Sequence, residues 1–221
     1  MAELHPALMP SLHLLPSDRP IALLTRHSVR EQSSHGIASY DLQLTVEGVA
    51  LAEWWGGQLG RGIAGFHSSP VQRCVDTAKA MARGAGLGLD ITQTQVLVEP
   101  GCFVVNAGRV GPLFWKLGPV SFANKHFQEP LEGLLTPLEG TAKLLRHLHA
   151  HQGAAGSLSI HVTHDTILAA FIYHLIGRAH INDEDWPWMM EGAWVWFEGE
   201  HEVHWLWRGK FGSRELGPYL Q

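Results

Sequence analysis

The chain has 221 residues and a formal net charge of −5 with its 15 histidines counted as neutral; 45% of it is hydrophobic and 17% charged. These are globular values, which exclude a mainly disordered chain and a strongly basic nucleic-acid binder, and one domain of this length can bury roughly 70–75% of its unfolded surface. Cys74 and Cys102 are too few for a disulfide scaffold or a four-thiolate zinc site, no run reaches the ~18 apolar residues of a membrane span, and the N-terminus lacks a basic segment and is broken by Pro6, Pro10 and Pro16. The expectation is a soluble cytoplasmic protein with no nucleic-acid or membrane partner.

In chain order, Ile21–Leu24 is continuously apolar and reads as a strand buried on both faces, as in parallel sheets. Val46, Val49, Ala50 and the Trp54-Trp55 pair fit a helix to about Leu59, and Ile63–Phe66 is a short second strand. Val71, Cys74, Val75, Ala78 and Ala82 form a helical stripe that ends at Gly84, Gly86 and Gly88. Ile91–Val98 alternates like a third strand. Residues 99–135 show no period and read as an inserted lid or binding loop. Thr136-Pro137-Leu138-Glu139 spells an N-cap, a proline at the first helical position and a capping glutamate, opening a helix to about His151. Leu158–Val162 is a fourth strand, and Thr166–Ile176 a helix closed by Gly177. Ala193–Phe197 and Val203–Trp207 alternate as a hairpin. Strands and helices alternating at short spacing predict one α/β domain over residues 1–221, a three-layer α/β/α sandwich with a mostly parallel central sheet and a lid inserted after the third strand.

In such sheets ligands bind beyond the carboxyl ends of the strands. There the sequence places Arg26, His27 and Arg30 after the first strand, Arg73 after the second, Glu99 after the third, and His164-Asp165 after the fourth. Converging guanidiniums suit a phosphate, whose oxygens accept their paired donors. A neutral histidine can attack phosphorus, a second can stabilise the equatorial oxygens, and a carboxylic acid near a bound phosphate can protonate the leaving oxygen. These are the parts of a metal-free phosphomonoester hydrolase.

Arg26-His27 resembles the Arg-His-Gly signature of the histidine phosphatase superfamily, the clan of phosphoglycerate mutases and acid phosphatases, with Ser28 where Gly is usual. Asp41, Leu44, Thr45 and Gly48 match its D-x-x-L-T-x-x-G element, and Ser68-Ser69-Pro70-x-x-Arg73-Cys74-x-x-Thr77-Ala78 its second element. Thr163-His164-Asp165 stands where the second catalytic histidine belongs. The likeness runs over roughly residues 21–177. It implies that His27 is the phosphorylated nucleophile, that Arg26, Arg73 and His164 hold the phosphoryl group, and that Arg30 adds a phosphate contact as in the acid-phosphatase branch. It leaves two candidates for the proton donor: Glu99, 26 residues past Arg73 and placed as in the mutase branch, or Asp165, as in the acid-phosphatase branch. Glu99-Pro100-Gly101 also resembles phosphatase domains of the Sts type, which tips the reading toward Glu99. Ser28 is small enough that activity is expected to survive the missing glycine.

The expected function is therefore a metal-independent phosphatase with no cofactor, acting on a small phosphorylated substrate or a phosphoprotein. Arg109, Lys116 and Lys125 in the lid are candidate substrate contacts. A mutase of the same fold, a metal-dependent hydrolase and a non-catalytic phospho-ligand module are the alternatives. His147, His149 and His151 invite a metal reading, since His147 and His151 share a helix face, but no acidic residue completes an H-E-x-x-H pattern, so they read as a solvated helix end and no metal ligand is assigned. Trp194/Trp196 and Trp205/Trp207 each repeat at strand period. They are expected to pack across strands onto the core, with a homodimer interface as the other use of that aromatic surface.

Overall fold

The computed structural model describes residues 3–32, 39–88 and 90–219. Its strands are β1 (Ile21–Arg26), β2 (Ile63–Ser68), β3 (Ile91–Gln93), β4 (Leu158–Thr163), β5 (Gly192–Glu198), β6 (Glu202–Trp207) and β7 (Lys210–Glu215). Its helices are α1 (Leu8–Ser11), α2 (Val46–Gln58), α3 (Gln72–Gly84), α4 (Ala107–Leu117), α5 (Pro119–Gln128), α6 (Pro137–Ala150) and α7 (Asp165–Ile176).

All seven strands form one sheet in the order β3-β2-β4-β1-β5-β6-β7. β1 is buried along its whole length and pairs parallel with β4 and antiparallel with β5. The sheet is mixed rather than mostly parallel: β3, β2, β4 and β1 run together, while the β1–β5, β5–β6 and β6–β7 pairs are antiparallel. Beyond β5 the reason is loop length. Hairpins join β5 to β6 and β6 to β7, the second through Arg208-Gly209, both at positive φ, and such short connections permit only antiparallel neighbours. β7 escaped the sequence reading because Lys-Phe-Gly-Ser-Arg-Glu has no buried face to create alternation.

Each face of the sheet carries its own core. On one side Trp55 of α2 and Met81 of α3 pack on Phe66, Ile160, Val162 and Trp194. On the other, Leu144 and Leu148 of α6 and Ile167 and Phe171 of α7 pack on Val195 and Trp205. The two tryptophan pairs thus lie on opposite faces and do not pack across strands on each other. Trp194 meets Trp55 edge-on, Trp196 stacks on His204, and Trp207 meets Tyr173. All four are buried, so none offers a dimer surface.

The capping box opens α6 as expected: Glu139 accepts from the Thr136 N–H at 2.8 Å while Thr136 Oγ1 accepts from the Glu139 N–H at 3.3 Å. Gly177 closes α7 at φ +81°. The third strand stops at Gln93 and gives way to a 3₁₀ turn. Residues 99–135, read as aperiodic, contain α4 and α5. Pro112 inside α4 and Gly118 between the two helices mask the period.

Candidate active site

The carboxyl end of β1 carries Arg26 and His27, and the His27 N–H donates to the Thr163 carbonyl of β4 at 2.9 Å. This ladder bond, and its continuation from the Ser69 N–H to the Val162 carbonyl, bring the ends of β1, β2 and β4 together. Ser28, in place of the usual glycine, is fully buried and satisfied: its N–H donates to Thr77 Oγ1 and its hydroxyl to the Gly48 carbonyl at 2.7 Å. Gly48 has no room for a side chain, since a Cβ there would lie 2.0 Å from the Val29 carbonyl oxygen. Thr45 caps α2 by accepting from the Gly48 N–H. The D-x-x-L-T-x-x-G element is thus the wedge that braces the loop after His27.

Hydrogen bonding fixes the state of His27. Its Nδ1 lies 2.8 Å from the Ser28 carbonyl, which can only accept, so Nδ1 carries the proton and Nε2 the lone pair. Arg73 Nε donates to that Nε2 at 3.0 Å. Burial, then the neighbouring His164, Arg26 and Arg73, hold the His27 pKa well below the usual histidine value, so the ring is neutral. His164 is also neutral, pushed down to about 3 by burial and Arg73. Its Nδ1 faces Arg73 Nη2 at 3.3 Å and must accept, leaving the proton on Nε2, 2.9 Å from Ser69 Oγ. Arg26 binds the Asp165 carboxylate at 2.7 Å and the Pro187 carbonyl at 2.6 Å. The Nε atoms of Arg26 and Arg30 are buried and have no hydrogen-bond partner among the described residues. Buried unpaired donors on cations are costly and mark a place for an anion.

The two carboxylates sit in different electrostatic settings. Burial alone would raise the Asp165 pKa, but Arg26, His27 and His164 outweigh it and bring it down to about 2. At neutral pH Asp165 is therefore an ionised acceptor. Glu99 goes the other way: burial pushes it up to about 7, although the N–H groups of Phe103 and Val104 donate to its two oxygens at 2.9 and 2.8 Å and favour the anion. Glu99 can hold a proton near neutrality and release it.

A cavity of about 340 Å³ opens beside these groups. Arg30, Arg73, Glu99, His164 and Asp165 line its polar end, while Phe103, Val110, Phe114, Trp115, Phe122 and Trp186 line the rest. Arg26 and His27 are not among the residues of its wall; Arg73, which is, donates to His27 Nε2. Sequence reasoning missed Tyr40, whose hydroxyl donates to the Glu99 carbonyl at 2.6 Å and whose ring lies 5.7 Å from the Arg73 guanidinium. It also missed the aromatic wall, since scattered aromatics in an aperiodic segment carry no motif. Arg109, Lys116 and Lys125 do not line the cavity: Arg109 pairs with Glu132, Lys125 with Glu129, and Lys116 is exposed.

The end of α6 is only partly solvated: His149 is exposed and His151 half-buried, but His147 is not. His147 is 8% exposed and sits among His67, His151 and His161 against the sheet, because β2 extends two residues beyond Phe66 and turns His67 toward α6. Both cysteines are buried and free. No helix among the described residues is long and apolar enough to cross a membrane.

The histidine phosphatase superfamily (branch 1) matches residues 22–103, the span holding Arg26, His27, Arg30, Arg73 and Glu99. His164 and Asp165 lie beyond it. No curated protein matches the sequence. Among solved structures, Bacillus stearothermophilus YhfR is similar at TM-score 0.58 and 17% identity over 89% of this chain and 96% of that one. The mycobacterial glucosyl-3-phosphoglycerate phosphatase is similar at TM-score 0.55 and 14% identity (89% and 97% covered). Phosphoglycerate mutase from Bacillus anthracis is similar at TM-score 0.56 and 13% identity (92% and 96% covered). The likeness to these structures is one of fold, and together with the family match it bears out the resemblance read from the motifs.

Proposed function

We propose that this chain, whose residues 22–103 match the histidine phosphatase superfamily (branch 1), is a phosphoric monoester hydrolase working through a phosphohistidine on His27. The observation that carries this reading is a neutral His27 with its Nε2 lone pair free of protons, set among arginines that hold two buried, unpaired N–H donors.

In the first step Arg73 releases His27 Nε2 and turns its donors to the phosphoryl oxygens, beside Arg26 and Arg30. Nε2 attacks phosphorus, the P–O ester bond breaks, and the leaving oxygen takes the proton of Glu99. Dianionic substrate raises the pKa of His164, which takes up a proton from solvent on Nδ1 as the substrate binds and points that N–H at a phosphoryl oxygen as a hydrogen-bond donor. In the second step Glu99, now a carboxylate, removes a proton from water. The hydroxide attacks phosphorus, the P–N bond breaks, and inorganic phosphate leaves. Asp165 stays ionised throughout and holds Arg26.

The aromatic cavity supports a substrate whose leaving group is apolar, an aryl or hydrophobic alkyl alcohol. Among the described residues its wall offers no lysine or arginine beyond the phosphate end to a second charged group. That favours hydrolysis over a mutase reaction, which must hold one substrate by both its phosphorylated and its accepting ends. The proposal needs no metal for the chemical steps.

The test is hydrolysis of p-nitrophenyl phosphate, naphthyl phosphate and glycerol phosphate in EDTA from pH 4 to 8. The expected result is turnover in EDTA, loss of at least about 10³-fold in His27→Ala, and kcat/KM for the aryl esters well above that for glycerol phosphate. Equal turnover by His27→Ala would refute the nucleophile. Phosphate binding without turnover would turn the reading to a binding module.

A further inference from the structure

Outside the phosphate site, the sheet and α6 enclose a cluster of histidines that the proposed reaction does not use. One ring nitrogen each from His67, His147 and His151 all lie within 4.8 Å of one another. Their ring centroids are 4.3 Å (His67–His151), 4.5 Å (His147–His151) and 5.7 Å (His67–His147) apart. Three imidazoles on one tetrahedral zinc ion, with Zn–N near 2.0–2.1 Å, put their centroids about 5 Å apart, so the rings already stand close to that arrangement. His67 is 8% exposed, and its Nδ1 is buried without a hydrogen-bond partner among the described residues.

The surrounding bonds set up the lone pairs a metal needs. His151 Nδ1 lies 2.8 Å from the His147 carbonyl and must donate, which leaves Nε2 with a lone pair. His147 Nε2 contacts His161 Nδ1 at 3.1 Å, and His161 Nε2 contacts Ser159 Oγ at 3.0 Å. With each Nε2–H donating along this chain, His147 Nδ1 is a lone pair too. Metal-bound histidines commonly donate their other N–H in this way. His151 is only partly buried, which gives an ion a way in and leaves a fourth position for water.

We propose that His67, His147 and His151 bind a zinc ion that ties β2 to the carboxyl end of α6, with His161 and Ser159 orienting His147. The site is independent of the proposed phosphatase chemistry. Its mechanical consequence is at β2: His67 is followed by Ser68 and Ser69, and Ser69 holds His164. Imidazole ligands without thiolate or carboxylate suit zinc, and cobalt can stand in for it as a spectroscopic probe.

Tag-free protein, stripped with EDTA and then freed of chelator, is titrated with ZnCl₂ in the wild type, His27→Ala, His67→Ala and His151→Ala. One zinc per chain is expected in the wild type and in His27→Ala, with Tm rising roughly 5–10 °C when free zinc is 100-fold above Kd. CoCl₂ gives the intense visible bands of a tetrahedral site. His151→Ala, a change at a partly exposed helix end that leaves the fold intact, loses the stoichiometric zinc, the Tm rise and the cobalt bands, as does His67→Ala. Unchanged binding in both histidine variants would place the ion elsewhere and overturn the proposal. So would absence of binding by the wild type at about 0.1 mM free zinc.

Discussion

At the scale of single residues, the site separates two carboxylates by environment. Asp165 faces Arg26 at 2.7 Å and is held at about 2, whereas Glu99 is buried beside an apolar wall and raised to about 7. Only Glu99 can give up a proton near neutral pH, which assigns it as the acid of the proposed reaction. Glu99→Gln is expected to lower kcat about 10²–10⁴-fold for an alkyl phosphate, whose leaving oxygen needs the proton, and far less for p-nitrophenyl phosphate. In the wild type kcat/KM for the alkyl ester falls as pH rises through about 7. Asp165→Asn loosens Arg26 and raises KM while leaving that alkaline limb in place. A steady-state pH series on both variants checks this; an alkaline limb that survives Glu99→Gln and vanishes in Asp165→Asn reverses the assignment.

At the scale of elements, α2 and α3 pack against each other through glycine. A Cβ on Gly84 would lie 1.7 Å from the Glu53 carbonyl oxygen, and one on Gly56 would lie 2.0 Å from that of Met81. Backbones this close let α3 hold Arg73 at its first turn against His27. Gly84→Ala forces the helices apart and is expected to cost at least about 1–3 kcal/mol in urea unfolding. Gly88→Ala, with open space around it, is the control and should be near neutral or slightly stabilising. Equal midpoints for the two variants would show that the contact is not tight. The α4–α5 pair turns an apolar face inward at Val110 and Phe122, which is why it shapes the cavity while its Arg109, Lys116 and Lys125 stay at the surface.

At the scale of the whole molecule, neutral buried histidines couple the fold to pH. His67 and His147 are held at about 4 and His164 at about 3, each first by burial, against an unfolded value of 6.5. A histidine whose folded pKa is depressed binds its proton more readily in the unfolded chain. Its contribution is therefore complete above pH 6.5 and is lost as pH falls from there toward 4. For His164 the limiting slope is roughly 1.4 kcal/mol per pH unit. Glu99, raised in the folded state, works in the opposite sense, its contribution fading as pH rises from about 4.5 through about 7. Urea unfolding at pH 7, 6 and 5 is expected to show steeply falling stability on the acid side; a flat profile would mean that the histidines are hydrated.

What the sequence by itself determined is what local chemistry and short-range pattern write down. Apolar runs and caps marked β1, α6 and α7. Arg26-His27, the Ser-Ser-Pro element leading to Arg73, and His164-Asp165 marked the residues that gather at the carboxyl ends of β1, β2 and β4, because a motif keeps its residue types at fixed spacing. The tertiary structure decided the rest. Whether the sheet continued parallel or antiparallel past β1 depended on how residues 177–191 bring the chain from α7 back to β1 as β5. The pKa order of Glu99 and Asp165 depended on which one met Arg26. His147 and His151 joined a histidine cluster only because β2, 80 residues before His147 at His67, brings that ring against them. Burial and electrostatic neighbours are long-range properties, and no local pattern encodes them.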